Sequence, residues 1–202
     1  MNTRLILASA SPRRQELLAQ AGYSFEVHAP AVPELRGPEE PAIRFATRLA
    51  QEKAQDVFRR CCPAGPVMVL GADTVVVCDG EVMGKPAHAA EAEGMLLRLS
   101  GRTHHVVTGV AVVYGPGPPW VEVAAELTQV TMLTLSAAEV AKYVASGEPM
   151  DKAGGYGIQG YAARWVPRIS GCYFNVVGLP IALVASLLEG ADRRLRKQTS
   201  IV

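Results

Sequence analysis

The chain alternates short apolar runs with longer stretches in which apolar residues recur every three or four positions. Short apolar runs are typical of buried strands, and the longer spacing is typical of amphipathic helices. The pattern predicts strands at residues 4–8, 25–29, 67–72, 75–78, 81–83, 106–114 and 121–133. It predicts helices at residues 42–60 and 89–99, one from residue 12 to a stop at Gly22, and one from residue 137 to a stop at Gly147.

Local signals at the ends of these elements support the pattern. Asp79-Gly80 is a sequence typical of a two-residue hairpin turn. Ser136 and Glu139 have the spacing of a capping box at a helix start. Because strands alternate with helices but also form a hairpin, we predict an α/β fold around a mixed sheet.

Residues 169–188 carry no charge and are long enough to cross a bilayer. Gly171, Asn175, Gly178 and Pro180 interrupt this run, so we predict a buried strand, a turn, and a helix that begins near Pro180. The opening residues lack the apolar core of a signal peptide, and the four cysteines form no C-x-x-C pair. We therefore expect a cytoplasmic protein with no membrane partner.

Composition narrows the function classes. With 202 residues, of which 49% are hydrophobic, the chain can bury a full core as one domain or as two fused lobes. Its 20 Lys and Arg residues and 19 Asp and Glu residues leave a net charge of +1. Nucleic-acid-binding domains are commonly more basic than this, so we expect no nucleic-acid partner. Anion binding would have to come from local clusters.

One such cluster lies at the first predicted helix. Ser11 and Pro12 are typical of an N-cap followed by the first helical residue, which places Arg13 and Arg14 in the first turn. Free backbone N–H groups and two guanidinium groups together suit a phosphate chain. The alternative is that both arginines are solvated surface residues.

Asp73 follows the apolar run of residues 67–72, where the end of a strand commonly presents groups to a ligand crevice. Its carboxylate could bind a hard cation such as magnesium, and a turn-forming or strand-capping aspartate is the alternative. Glu34, in a proline-rich loop, offers a second carboxylate. Glu52 and Lys53 lie on the following helix, where the alternative is a solvated charge.

Two glycine-containing loops supply further polar side chains, namely Lys85, Asp151, Lys152 and Gln159. Glycine lets a backbone approach a ligand closely, although it can equally serve only to make turns. The sequence has no G-x-x-x-x-G-K-S/T, H-E-x-x-H or G-x-S-x-G motif. Basic side chains, a few carboxylates and glycine-rich loops indicate metal-assisted chemistry on phosphate esters.

Seven short motifs occur in order along the chain: SASPRR, EKA, GADTVV, GKP, SGRTH with TGV, DKAGGYGIQG and NVVGLP. Together they resemble the Maf family of nucleotide pyrophosphatases, and the resemblance covers nearly the whole chain. It implies a single Maf-like domain over residues 1–202, built as two fused lobes around a central cleft. It also implies an elongated mixed sheet with flanking helices, similar to inosine triphosphate pyrophosphatases, a divalent cation (magnesium or manganese) and a homodimer.

The resemblance also implies roles for individual residues. Asp73 matches the family's proposed proton acceptor, and Arg13, Thr74 and Gln159 match the residues that govern base selection. The implied phosphate contacts are Ser9, Arg13, Arg14, Lys53, Lys85 and Lys152. The implied metal contacts are Asp73, Glu34 and Asp151. Where relatives often carry an acidic pair in the proline-rich loop, this chain has Pro33 before Glu34.

The sequence resembles the dTTP/UTP branch. The branch similar to 7-methyl-GTP pyrophosphatases instead has an aromatic residue at the position of Arg13, a different triplet in place of ADT, and a Cys with Ser-Glu-Gly in place of DKAG and IQG. We expect hydrolysis of dTTP and UTP, with CTP and modified pyrimidine nucleotides as further candidates, to the monophosphate and pyrophosphate. Water would attack the α-phosphorus with metal assistance, and Asp73 could accept the water proton or bind the metal. The alternative is a non-catalytic nucleotide-binding regulator of cell division and septum formation.

Overall fold

The computed structural model describes residues 3–61, 66–115 and 118–199. Its strands are β1 (Arg4–Ala8), β2 (Glu26–Val27), β3 (Val67–Cys78), β4 (Glu81–Met83), β5 (Thr103–Tyr114), β6 (Trp120–Thr131) and β7 (Arg168–Ser170). Its α-helices are α1 (Pro12–Gln20), α2 (Ala42–Cys61), α3 (Ala89–Leu99), α4 (Ala137–Ala145), α5 (Tyr173–Val177) and α6 (Ile181–Thr199). Short 3-10 turns fill part of the segment between α4 and β7.

The strands form one seven-stranded sheet in the order β2-β1-β3-β5-β6-β7, and β4 pairs with β3 outside this path. β1 runs parallel to both β2 and β3, whereas the β3–β4 and β6–β7 pairs are antiparallel. Asp79 and Gly80 connect β3 to β4 with φ angles of 50° and 80°, as a primed hairpin turn requires. The predicted mixed α/β fold and this hairpin are therefore confirmed.

The chain divides into two compact units, and the division falls within β3, between Asp73 and Thr74. The first unit comprises residues 1–73, 108–126 and 178–202. The second comprises residues 74–107 and 127–177.

In the first unit, α2 packs directly on the sheet. Its alanines Ala50 and Ala54, with Val57 and Phe58, bury against apolar residues of β1, β3 and β5. A β-carbon on Gly71 of β3 would collide with the carbonyl oxygen of Ala50, and one on Gly109 of β5 would collide with the backbone at Ala46. The two glycines thus let the helix backbone approach the strands more closely than side chains would allow.

In the second unit, α3 and α4 pack with an aromatic cluster formed by Tyr143, Tyr161 and Trp165. The predicted capping box is confirmed, because the Ser136 hydroxyl accepts from the Glu139 N–H and the Glu139 carboxylate accepts from the Ser136 N–H. Residues 151–160 are irregular, as predicted.

Some predicted boundaries were wrong. The sequence suggested that a strand ends before Asp73, but β3 continues unbroken for 12 residues, because the buried Asp73 carboxylate is paired with Lys53. Ser11 precedes Pro12 as predicted, yet its side chain makes no capping hydrogen bond. The run at residues 169–188 contains the unpredicted helix α5. Within the described ranges, no helix is both long and apolar enough to cross a membrane.

Candidate active site

Three charged side chains meet in the first unit. The Nζ atom of Lys53 donates to Oδ1 of Asp73 at 2.6 Å and to Oε1 of Glu34 at 2.5 Å. The side chains of Lys53 and Asp73 are only 7% and 8% exposed, whereas Glu34 is 46% exposed. The ammonium group therefore links a buried carboxylate to one that faces solvent.

The position of Lys53 follows from the pattern of α2. Its buried residues Phe45, Ala46, Leu49, Ala50, Lys53, Ala54, Val57 and Phe58 form one continuous stripe, and Lys53 is the only charged member. A lysine within such a stripe must find a partner because an isolated buried charge is strongly unfavourable. Asp73 of β3 is that partner. The solvated alternative for Lys53 is wrong, and so is the strand-capping alternative for Asp73.

Burial raises the pKa of the Asp73 carboxyl, and the positive charges of Lys53 and Arg14 oppose this rise. The nearby Glu34 carboxylate adds to the rise. Burial has the largest effect, so the pKa of Asp73 stays above its ordinary value although its basic neighbours oppose the rise.

Arg14 extends this charged group toward the end of β1. Its Nε atom donates to the carbonyl oxygen of Gly178 at 2.8 Å, and its Nη1 atom donates to Ser9 Oγ at 3.4 Å. Burial lowers the pKa of the Arg14 guanidinium, while Asp73 and Glu34 oppose this shift. Ser9 is buried and also accepts from the Ser11 N–H at 3.2 Å. The first unit thus brings together Ser9, Arg14, Glu34, Lys53 and Asp73, and it also contains Arg13 in the first turn of α1.

The carboxylates offer a partial site for a divalent cation. Asp73 and Glu34 both direct an oxygen atom at the Lys53 ammonium group. A divalent cation that took the place of this ammonium would meet the hard oxygen ligands that magnesium prefers. Among the described residues there is no group of three or more His, Cys, Asp or Glu side chains able to hold a metal. Magnesium commonly takes one or two protein carboxylates and completes its shell with water and substrate phosphates.

The remaining predicted site residues, Thr74, Lys85, Asp151, Lys152 and Gln159, belong to the second unit. Lys152 Nζ donates to Asp151 Oδ1 at 2.7 Å and to the carbonyl oxygen of Glu148 at 2.6 Å. Gln159 is exposed in the turn that the Gly160 N–H closes by donating to the carbonyl oxygen of Gly157 at 3.1 Å. The structure therefore brings Asp151 and Lys152 together and presents Gln159 to solvent.

Sequence reasoning missed two kinds of residue near these groups. Gly178, the acceptor for Arg14, has a φ of 122° that favours glycine. Tyr143 and Glu148 hydrogen-bond to the loop that carries Gln159. Gly178 lies within the uncharged run of residues 169–188, where the sequence indicated only that it interrupts the run. No pattern in the sequence pointed to Tyr143 or Glu148.

Comparison with known proteins adds to this geometry. A family described as Maf-like protein matches residues 4–191. The dTTP/UTP pyrophosphatase of Symbiobacterium thermophilum is 53% identical over 185 residues, which cover 92% of this chain and 92% of that protein. Proteins with the same name from Koribacter versatilis and Vibrio vulnificus are 50% and 46% identical, covering 93% and 92% of this chain and 94% and 97% of their own lengths.

One solved structure is also similar. It is the nucleoside-triphosphatase / dITP/XTP pyrophosphatase of Mycobacterium abscessus, with 16% identity and a TM-score of 0.44 over 99% of this chain and 98% of that one. This likeness is distant and adds nothing to the sequence matches.

Proposed function

We propose that this chain, which belongs to the Maf family, is a nucleoside triphosphate pyrophosphatase acting on dTTP and UTP. The products are the nucleoside monophosphate and pyrophosphate. Relatives at 46–53% identity over more than nine-tenths of the chain are named for this activity. The observation in the structure that carries the proposal is the buried Lys53–Asp73 pair, which reaches the solvent-facing Glu34.

The reaction needs a water molecule at the α-phosphorus and positive charge around the phosphates. Asp73 has the one buried carboxylate of this cluster. This carboxylate would either accept the proton of the attacking water or bind the divalent cation. Lys53 and Arg14 oppose the rise in the pKa of Asp73 and so favour its ionised form, and they offset the negative charge that develops on the phosphoryl oxygens. Asp73 and Glu34 would hold a magnesium or manganese ion, which would further neutralise the charge of the phosphates.

The family resemblance implies the other proposed contacts. Lys85 and Lys152 bind the phosphate chain, and Asp151 is the third proposed carboxylate for the cation. Thr74 and Gln159 have both hydrogen-bond donors and acceptors, which suits the edge of a pyrimidine base. Arg13 completes the set that selects the base. CTP and modified pyrimidine nucleotides are further candidate substrates, and we propose that the enzyme acts in the cytoplasm as a homodimer, as the family resemblance implies.

The test is a product assay with matched variants. The wild-type protein, Asp73→Asn and the control Asp79→Asn are incubated with magnesium and a panel of triphosphates in ¹⁸O-labelled water. Asp79 lies in the β3–β4 turn, where asparagine before glycine is also well accommodated. We expect wild type and Asp79→Asn to release pyrophosphate and labelled monophosphate, and Asp73→Asn to be slower by roughly 10²–10⁴-fold.

Each other outcome contradicts a stated part of the proposal. Release of single phosphate, or label in pyrophosphate, would exclude attack on the α-phosphorus. Tight nucleotide binding without hydrolysis would favour the non-catalytic regulator of cell division. Faster hydrolysis of purine than of pyrimidine triphosphates would contradict the proposed substrate class.

A further inference from the structure

The turn that carries Gln159 is held by a buried phenol and a carboxylate that the proposed reaction does not use. Tyr143 of α4 is 2% exposed, and its hydroxyl donates to Glu148 Oε1 at 3.0 Å. The same hydroxyl accepts from the Gly157 N–H at 3.3 Å. Tyr143 therefore joins the first residue of the turn to Glu148.

Glu148 contacts the other end of the same turn. Its Oε2 atom lies 3.5 Å from the Tyr161 N–H that donates to it. A β-carbon on Gly160 would collide with the Glu148 carboxylate, and one on Gly157 would lie 2.6 Å from Cε of Lys152. The Gly160 end of the turn thus lies directly against the Glu148 carboxylate, and the Gly157 end lies against the Lys152 side chain.

The surroundings of Tyr143 favour the protonated hydroxyl, which can donate a hydrogen bond. Burial and the neighbouring Glu148 carboxylate both raise the pKa of the Tyr143 phenol, so it stays protonated at neutral pH. Its ring stacks on Tyr161 at 5.8 Å and meets Trp165 edge-on at 5.0 Å between centroids. The hydroxyl is consequently fixed in space before any ligand binds.

We propose that Tyr143 and Glu148 are positioning residues that fix the Gly157–Gly160 turn and, through it, the side chain of Gln159. They thereby determine selectivity for the nucleotide base. This inference rests on the proposed function, because Gln159 selects a base only if the protein binds nucleotides. Glu148 also accepts from Lys152 through its carbonyl oxygen, so the same device places a proposed phosphate contact.

The first test does not depend on activity. Backbone amide hydrogen exchange is measured for residues 157–161 in wild type, Tyr143→Phe and the control Tyr161→Phe. The control removes a phenol from the same aromatic cluster, but one whose hydroxyl makes none of the hydrogen bonds given above. We expect exchange at Gly157 to quicken about tenfold in Tyr143→Phe and to stay within about twofold in Tyr161→Phe. Unchanged exchange in Tyr143→Phe would overturn the proposal.

The second test measures selectivity as the ratio of kcat/KM for dTTP to kcat/KM for dGTP. A ratio taken on one sample does not depend on the folded fraction, so loss of stability alone leaves it unchanged. We expect the ratio to fall about tenfold in Tyr143→Phe and in Glu148→Ala, and less in Glu148→Gln, which keeps one acceptor oxygen. In a Gln159→Ala background, Tyr143→Phe should have no further effect on the ratio.

The outcomes separate this inference from the proposed function. If wild type hydrolyses no triphosphate, the proposed function fails, and the ratio of dissociation constants for the two nucleotides replaces the kinetic ratio. If wild type is active but the effects of Tyr143→Phe and Gln159→Ala multiply independently, the positioning role is wrong while the proposed function stands.

Discussion

The Nζ atom of Lys53 lies 2.6 Å from Oδ1 of Asp73, and both side chains are almost fully withdrawn from solvent. A buried ion pair of this kind is weak support for stability, because desolvation offsets much of the attraction. Its clearer consequence is chemical. Burial raises the pKa of Asp73 and Lys53 opposes this rise, so the charge of the lysine widens the pH range in which the aspartate is ionised.

The first prediction concerns the effect of the Lys53 charge on the pKa of Asp73. Replacing Lys53 by methionine keeps the length of the side chain but removes the charge, so the pKa of Asp73 should rise further. Since the reaction needs the ionised form, the acidic limb of kcat/KM should move to higher pH. The measurement is kcat/KM for dTTP from roughly pH 4 to 9. Lys53→Arg keeps the charge and should leave the limb nearly in place. If the acidic limb lies at the same pH in Lys53→Met and in wild type, Lys53 does not affect the pKa of Asp73.

The second prediction concerns the glycines beneath α2. Alanine at Gly71 would collide with the Ala50 carbonyl oxygen and push away the helix that carries Lys53. We expect Gly71→Ala to lower the free energy of unfolding by roughly 1–3 kcal/mol and to reduce activity. A β-carbon on Gly94 of α3 would meet no described atom within 4 Å, so the matched control Gly94→Ala should raise stability by roughly 0.5–1 kcal/mol. Urea unfolding measures both, and equal stability of Gly71→Ala and wild type would contradict the close approach.

Features set by a few neighbouring residues were predictable from the sequence. The Asp79-Gly80 hairpin and the Ser136–Glu139 capping box depend on residues at most three positions apart, and both have strong local signals. The mixed sheet was predictable from a different signal, namely the order of strand-like and helix-like apolar patterns along the chain. The short helix α5 was not predicted, because it lies between two glycines in a run that reads equally well as strand or turn.

The candidate site was predictable only in part, because its contacts join distant parts of the chain. Asp73 reads as the end of a strand until Lys53, 20 positions earlier, is known to neutralise it. The sequence of α2 did carry a signal for Lys53, because it is the one charged residue at the helical spacing of the buried stripe. No comparable signal existed for Tyr143, whose contact with Gly157 depends on how an irregular loop folds.

The third prediction uses His104, which is fully buried and has its Nε2 atom 2.7 Å from the Tyr156 hydroxyl. Burial lowers the pKa of His104 from 6.5 to about 4. Between these values the unfolded chain binds a proton that the folded protein does not, so stability should be lost as pH falls from 6.5 to 4. The full effect is roughly 3 kcal/mol.

The measurement for His104 is urea unfolding at several pH values within that window. The variant His104→Gln lacks the titrating ring, so the difference in stability between wild type and variant should shrink as pH falls. His105→Gln removes only the smaller cause of the lowered His104 pKa, the charge of the neighbouring half-exposed histidine, so most of the slope that His104 produces should remain. A pH-independent difference between wild type and His104→Gln would show that the buried imidazole does not titrate as expected.

The last prediction concerns the divalent cation. Glu34 and Asp73 already share the Lys53 ammonium, so an added cation must compete with it for the same oxygens. Because the proposed reaction requires the cation, removal of metal by a chelator should abolish activity. Glu34→Gln removes one charged oxygen ligand and should raise the magnesium concentration needed for half-maximal activity by roughly 10–100-fold. Saturating magnesium should restore most of kcat, because Asp73 remains.

A control and an independent readout make the metal prediction specific. Glu39→Gln alters an exposed carboxylate in the same loop and should leave the magnesium requirement unchanged. Binding of Mn²⁺, followed by its electron paramagnetic resonance signal without nucleotide, should weaken in Glu34→Gln and strengthen in Lys53→Met, because the competing ammonium is gone. If Lys53→Met binds Mn²⁺ no better than wild type, the lysine does not occupy the cation's position. In that case Glu34 serves only as a partner for Lys53, and the cation is held by the nucleotide phosphates.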